Sequence, residues 1–385
     1  MENKRIQSIE PEKGNENVQN EIPFNPNEIS INIIPRTIGQ LVEKLEDNQI
    51  LIPKFQRIPN LWDIKKKSRF IESLMLNLPI PLFYFDENSD DKNIWSVIDG
   101  LQRMSTLEHF ILSGKNEKLV SISGKKNSFR LEKLEFKTEF NGCSWEDLPR
   151  DMQRRINSNQ VTINLIGRGT PEQVKFNIYS RINQGGIELK PQEIRTALFQ
   201  GYRIEFIEKF VTNDTEYGKS FLKATDNCVP TKRQEDFDFV TRFLSFYLVG
   251  YKNYEPDMDS FLTKGTKEIP RSESQQQQIL NSFKIAMNLA FEIFEKETFR
   301  KFKHDKKFRN PLNKALFEII SVYFAKLSDA ERNILLKNRK QFIENFYNLH
   351  NDTKFFAAIT SGTATKESVF KRHEEFQKIL DQIIK

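Results

Sequence analysis

The stretch "IDGLQRMSTLEHF", Ile98 to Phe110, decides how the first half of the chain is read. The apolar run Trp95-Ser96-Val97-Ile98 ends in Asp-Gly and becomes a helical pattern within one turn, as a strand does when it feeds a helix. Leu101, Met104, Leu107 and Ile111 mark the buried stripe of that helix; Gln102, Ser105 or Thr106, and His109 share another face. Asp99 stands at the cap, where its carboxylate can accept from free backbone N–H groups. Turned outward, it is a metal or hydroxyl ligand. Arg103 is a poor choice for stability near a helix N-terminus, because the positive end of the dipole disfavours a cation. Either an anion binds there, held by the N–H groups and the guanidinium together, or Arg103 is a surface residue paired to a neighbouring Glu.

Working outward, "TIGQLVEKLEDNQ" (Thr37 to Gln49) reads as a helix capped by Thr37, with Ile38, Leu41, Val42 and Leu45 on one face. "ILIP" is a short strand that runs into "KFQR", and "WDIKKKSRFIESLMLN" is a helix with Ile64, Phe70, Ile71, Leu74 and Met75 apolar. "PIPLFYFDE" and "NIWSVID" read as the two strands of a hairpin joined by a polar turn. Further on come a strand over "SFRLEKLEF", a helix over "SWEDLPRDMQRRINSN" capped by Ser144, and a strand over "QVTINLI". "TPEQVKFNIYSRINQGG" is a helix with Thr170 as cap and Pro171 in its first turn, and "KPQEIRTALFQG" is a shorter one. Beyond about residue 202 strand signals fade, and four long segments carry only three-to-four spacing. The expectation is an α+β class: a polar, disordered tail over 1–28, a mixed domain over 29–201 and an all-helical C-terminal domain over 202–385.

At 385 residues the chain suits two domains, and 38% hydrophobic with 29% charged residues suits a soluble globular protein. No apolar run approaches the ~18 residues of a membrane helix, and "MENKRIQSIEPEKGNENVQNE" has no apolar signal core. Two cysteines, Cys143 and Cys228, form neither a disulfide framework nor a zinc spacing, which fits a reducing cytoplasm. A net charge of +6 permits nucleic-acid binding without demanding it. Gly218-Lys219-Ser220 is not a P-loop, since Asn213 stands where the upstream glycine belongs and no strand precedes it. The four histidines form no metal or catalytic set. "PDMDSFLTKGTK" reads as a solvated loop. Polar pairs also stand at the rims of other elements, Gln56-Arg57 after a strand and Arg181 with Asn183 at a helix end.

Taken in order, "IPKFQRIPNLW", "IDGLQRMSTL" and "FNIYSRINQGGIELKPQEI", with "PIPLFYF" between them, resemble the DUF262 family, the N-terminal domain of GmrSD-type modification-dependent restriction enzymes. The resemblance spans about Ile38 to Phe199, and its hallmark Asp-Gly-Gln-Gln-Arg stands here as DGLQR. It implies a ParB/sulfiredoxin-like fold that binds a nucleoside triphosphate with Mg²⁺, and often hydrolyses it, in bacterial defence against foreign DNA. By that resemblance Asp99, Gly100, Gln102 and Arg103 are the nucleotide motif, and Gln56, Arg57, Arg181 and Asn183 its companions. Arg57 and Arg103 suit phosphate oxygens, Asp99 suits Mg²⁺, and Gln102 suits the positioning of water. Asp99, Gln102 and Arg103 would then be the catalytic set. The sequence departs from the pattern at Leu101, where the family has its first Gln, and an HNH nuclease motif is not recognisable. A pure nucleotide switch and a nucleotide-free DNA-binding or scaffold module are therefore the alternative readings.

"FRKFKHDKKFRN" (Phe299 to Asn310) carries six Lys or Arg with Phe299, Phe302 and Phe308 interleaved. So dense a segment suits phosphate neutralisation by Lys301, Lys303, Lys306, Lys307 and Arg309. Lys65-Lys66-Lys67 with Arg69 reads as a solvated helix face. The expected partners are DNA, a separate nuclease subunit and further copies of this chain, with no membrane.

Overall fold

Thr37 opens the first helix of the computed structural model, which describes residues 9–10, 30–51, 62–88, 91–112, 129–182, 190–199, 201–302 and 309–385. Its hydroxyl accepts from Gln40 N–H while the Gln40 side chain returns to Thr37 N–H, satisfying two orphan donors of α1 (Ile38–Glu46). Ile38, Leu41, Val42 and Leu45 are buried on one face, as their spacing predicts.

By internal contacts the chain divides into two units, one of Pro23–Leu198 and one of Phe199–Lys385 with Met1–Ile22. The first is built on a five-stranded mixed sheet of order β1-β5-β3-β4-β2. Its strands are β1 (Ile31–Thr37), β2 (Ile50–Leu51), β3 (Phe83–Glu87), β4 (Trp95–Asp99) and β5 (Gln160–Ile166). The β3–β4 and β1–β5 pairs are antiparallel; β3–β5 and β2–β4 are parallel. Among the described residues the further α-helices of this unit are α2 (Ile64–Met75), α3 (Leu101–Leu107), α4 (Arg150–Ser158), α5 (Glu172–Ile182) and α6 (Pro191–Leu198). A core of Phe83, Phe85, Val97, Met104, Leu107 and their neighbours fills the space between sheet and helices.

The second unit is helical: α7 (Tyr202–Val211), α8 (Glu216–Ala224), α9 (Glu235–Leu248), α10 (Met258–Lys267), α11 (Glu273–Phe294), α12 (Lys314–Lys326), α13 (Asp329–Lys337), α14 (Arg339–Leu349), α15 (Thr353–Thr360) and α16 (Lys366–Ile384). Phe210, Phe221, Phe239, Phe243, Phe283 and Phe317 meet ring to ring inside it, so many of the phenylalanines are core. The fold class is thus α+β with an all-helical C-terminal region. Among the described residues no helix is long and apolar enough to cross a membrane.

Three local expectations are corrected. The described residues of "SFRLEKLEF", 129–136, form no strand, because their backbone and that of Lys137 are claimed by other partners. Leu131 N–H donates to Cys143 O, and Glu135, Phe136 and Lys137 N–H donate to the Glu72 carboxylate at 3.0, 2.7 and 2.8 Å. Ser144 does not cap α4; Pro149 is its N-cap, and Asp147 accepts from Ser144 N–H and Oγ in a separate turn. The 257–267 segment is no loop but the helix α10, opened by Asp257, whose Oδ1 accepts from Ser260 N–H. Gly218-Lys219-Ser220 lies inside α8.

Candidate functional site

The turn between β4 and α3 is made by backbone constraint. Gly100 has φ of 102°, a left-handed conformation that costs other residues strain, and a Cβ there would lie 2.5 Å from Cδ1 of Phe83. Glycine is required on both counts. Gly100 also caps α3, without any side-chain cap, so Asp99 does not serve as the cap its position suggests.

Asp99 turns instead to Arg103. Arg103 Nη2 donates to Asp99 Oδ2 at 3.0 Å and to Leu82 O at 3.1 Å, while Nη1 donates to Pro81 O. The guanidinium lies 4.4 Å from the Phe83 ring centroid and its residue is only 7% exposed. Burial lowers the Arg103 pKa, and the Asp99 charge opposes that effect. Arg103 is therefore an interior residue that ties the turn to the segment leading into β3, and the neighbouring-Glu alternative is replaced by this Asp99 pair. The Asp99 side chain remains 41% exposed.

Gln102 completes the turn. Its carbonyl accepts from Thr106 Oγ1 at 2.6 Å, and its side-chain Oε1 is buried with no hydrogen-bond partner among the described residues. A buried amide oxygen in that state costs free energy until something donates to it. Leu101 is half-buried against the core rather than fully inside it. The helix then continues as a π-helical turn, Glu108–Leu112, in which every residue is buried.

Arg181 is exposed in the last turn of α5, and no hydrogen bond or ion pair among the described residues joins it to Asp99 or Gln102. Gln56, Arg57 and Asn183 lie outside the described residues, as do Lys303, Lys306 and Lys307. Of the basic segment, Lys301 pairs with Glu10, and Arg309 pairs with Asp226 at 2.7 Å. Phe299 and Phe302 are buried in the helical core. Among the described residues no group of three His, Cys, Asp or Glu could hold a metal ion.

Several buried polar residues escaped sequence reasoning. Lys67, the last lysine of a triplet that reads as solvated, is 2% exposed, and its Nζ lies 3.2 Å from His109 Nδ1. Lys175 Nζ donates to Asp86 Oδ1 at 2.6 Å, fastening α5 to β3. Burial pushes the Asp86 carboxyl up, with Lys175 acting against it. Helical spacing alone could have placed Lys67 near Phe70 and Ile71, but nothing local announces a buried charge.

Residues 38–200 match the family model of the GmrSD restriction endonuclease, N-terminal domain. No curated protein and no solved structure matches the chain. The GmrSD-type match covers α1 through α6 and so contains the Asp99–Arg103 turn, the Asp86–Lys175 pair and Arg181.

Proposed function

We propose that residues 38–200 are the nucleotide-binding module of a DNA-restriction protein that defends a bacterial cell against foreign DNA, working as a nucleotide-responsive switch. The observation that carries the reading is the match of these residues to the GmrSD restriction endonuclease, N-terminal domain. The local geometry supports it at the β4–α3 turn. There a 41%-exposed carboxylate, Asp99, stands three residues from the Gln102 amide oxygen, which has no partner among the described residues. The Gln102 amide would accept from a sugar hydroxyl or base N–H. Arg181 and the companions Gln56, Arg57 and Asn183 would meet phosphate oxygens. A single carboxylate suits Mg²⁺, which is commonly held by one or two carboxylates plus substrate phosphates; Asp99 would hold it, and it would neutralise phosphate charge. Arg103 has a positioning role in this reading, since its donors go to Pro81, Leu82 and Asp99.

Titration of the full chain with each of the four NTPs, with and without Mg²⁺ and DNA, tests this directly. One NTP should bind, Asp99→Asn should remove the Mg²⁺-dependent part, and Gln102→Ala should weaken binding by about 0.5–1.5 kcal/mol, the net worth of one hydrogen bond. Absence of binding by all four would overturn the reading. Phosphate release, measured in parallel, separates a switch from an NTPase, and Leu101→Gln should raise it if the family's amide takes part in turnover. A second reading, a nucleotide-free DNA-binding or scaffold module acting with a separate nuclease, is favoured by one observation. The Arg103 guanidinium is spent inside the fold.

A further inference from the structure

In the helical unit a buried cation and a free thiol lie side by side. Cys228 stands between α8 and α9, and Arg300 between α11 and α12. Arg300 is only 5% exposed; its Nη1 donates to Asn310 O and its Nη2 donates to Cys228 Sγ at 3.5 Å. Its Nε is buried with no hydrogen-bond partner among the described residues. The Asp226 carboxylate, two residues from Cys228, is taken by Arg309 at 2.7 Å, and among the described residues no ion pair reaches Arg300. A guanidinium removed from water without a counter-charge costs free energy, so an anion is missing here.

The geometry says where that anion belongs. In a guanidinium, Nε–H and the Nη2 N–H beside it point along one edge, the edge that grips oxygen acceptors as a fork. Sulfur already accepts from Nη2, and the other donor of the same edge has nothing to donate to. The thiol proton is directed away, to Asp226 O at 3.3 Å. An oxygen bonded to Sγ on the guanidinium side therefore meets both donors of the fork. Cys228 is half-buried, so a small oxidant can reach its sulfur. Cys143 falls in the same exposure range, and its Sγ makes no hydrogen bond among the described residues, which makes it an internal comparison.

We propose that Cys228 is a peroxide-oxidation site whose product, a cysteine sulfenate, is held through its oxygen by the Nε and Nη2 edge of Arg300. Sγ attacks one oxygen of hydrogen peroxide; the S–O bond forms as the O–O bond breaks, and the thiol proton leaves with the departing hydroxide as water. Sulfur is oxidised by two electrons and the peroxide is reduced by two. Ionised as the sulfenate, the product supplies the counter-charge that Arg300 lacks, and it fastens the α8–α9 connection to the chain that follows α11.

The test treats the full chain with hydrogen peroxide in the presence of dimedone, which traps sulfenic acids, and reads each cysteine by peptide mass spectrometry. Cys228 should be trapped about tenfold or more over Cys143, on the scale of a charge-assisted hydrogen bond. Arg300→Lys keeps the charge and loses the fork, and should bring Cys228 down to the level of Cys143. Equal trapping of the two cysteines in the wild-type protein would overturn the proposal, as would an unchanged ratio in a folded Arg300→Lys. Hydrogen exchange decides the matter even where that variant fails to fold. In the wild-type protein, pulsed directly after peroxide without dimedone, the peptide spanning Asp226 to Cys228 should exchange more slowly, while Cys228→Ser shows no change. Unchanged or faster exchange in the oxidised wild type would show that Arg300 does not hold the product.

Discussion

At the scale of single residues, Arg103 shows how a side chain that looks placed for a ligand can be consumed by its own fold. Its guanidinium answers two carbonyls, Pro81 and Leu82, and one carboxylate, Asp99. Removing it takes a largely buried guanidinium from two carbonyls, a carboxylate and a cation–π contact, which should cost about 2–3 kcal/mol. Asp99→Asn removes only a partly exposed partner, and about 1 kcal/mol or less is expected. All three tryptophans, Trp62, Trp95 and Trp145, lie in the Pro23–Leu198 unit, so urea unfolding followed by tryptophan emission reports that unit alone. Arg103→Ala should lower the urea midpoint far more than Asp99→Asn does. Equal midpoints in the two variants would show that Arg103 is not an interior anchor.

At the scale of elements, α9, α12 and α16 are joined by one buried carboxylate. Glu318 of α12, fully buried, accepts from Arg372 Nε and Nη2 at 2.8 and 2.9 Å, from His373 Nε2 at 2.9 Å and from Arg242 Nη1 at 3.2 Å. Burial alone would push its carboxyl up, but Arg372 and His373 hold it down to about 2. A folded pKa below the unfolded value means stability that is present above about pH 4.5 and lost as pH falls toward 2. His373 is lowered by burial, against the pull of Glu318, so its protonation below about pH 6.5 also works against the fold. Asp236 runs the other way: burial pushes it up to about 6, so its protonation favours the folded state as pH falls through that range. Far-UV circular dichroism in urea at pH 7, 5 and 3 should show the steepest loss of helical stability below pH 4.5. Glu318→Gln should cost about 3–5 kcal/mol at pH 7, because two buried guanidiniums lose their counter-charge, and should flatten that acid slope. Retention of the wild-type acid profile in the variant would refute the assignment.

At the scale of the whole molecule, no hydrophobic cluster among the described residues is shared between the sheet-bearing unit and the helical one, which implies two folding units. One gathers Phe83, Phe85, Val97 and Met104 beneath the sheet, and the other gathers the phenylalanines of the helices. Each owns enough apolar surface to fold on its own terms. The fragment 23–198 is therefore expected to retain cooperative urea unfolding by tryptophan emission, with a midpoint close to that of the full chain. A non-cooperative fragment would show that the division by contacts is not a division in stability.

By itself the sequence determined what depends on near neighbours. The Thr37 cap, the stripe of α1, the β3–β4 hairpin, the Asp-Gly break before α3 and the three-to-four spacing of α9, α11, α12 and α16 are all written within a few residues. The need for glycine at position 100 was legible in part, as a tight turn, though not the Phe83 ring that closes over it. Tertiary structure alone decided where the charges go. Arg103 finds Pro81 22 positions away, Glu72 reaches the backbone at Lys137 65 positions on, and Lys301 meets Glu10 across 291. A buried charge must find a partner wherever the fold supplies one, and that partner's identity is set by strand order and helix packing rather than by spacing along the chain. For the same reason a run such as Lys65-Lys66-Lys67 reads as one solvated face, yet the fold leaves two of its lysines in water and takes the third inside.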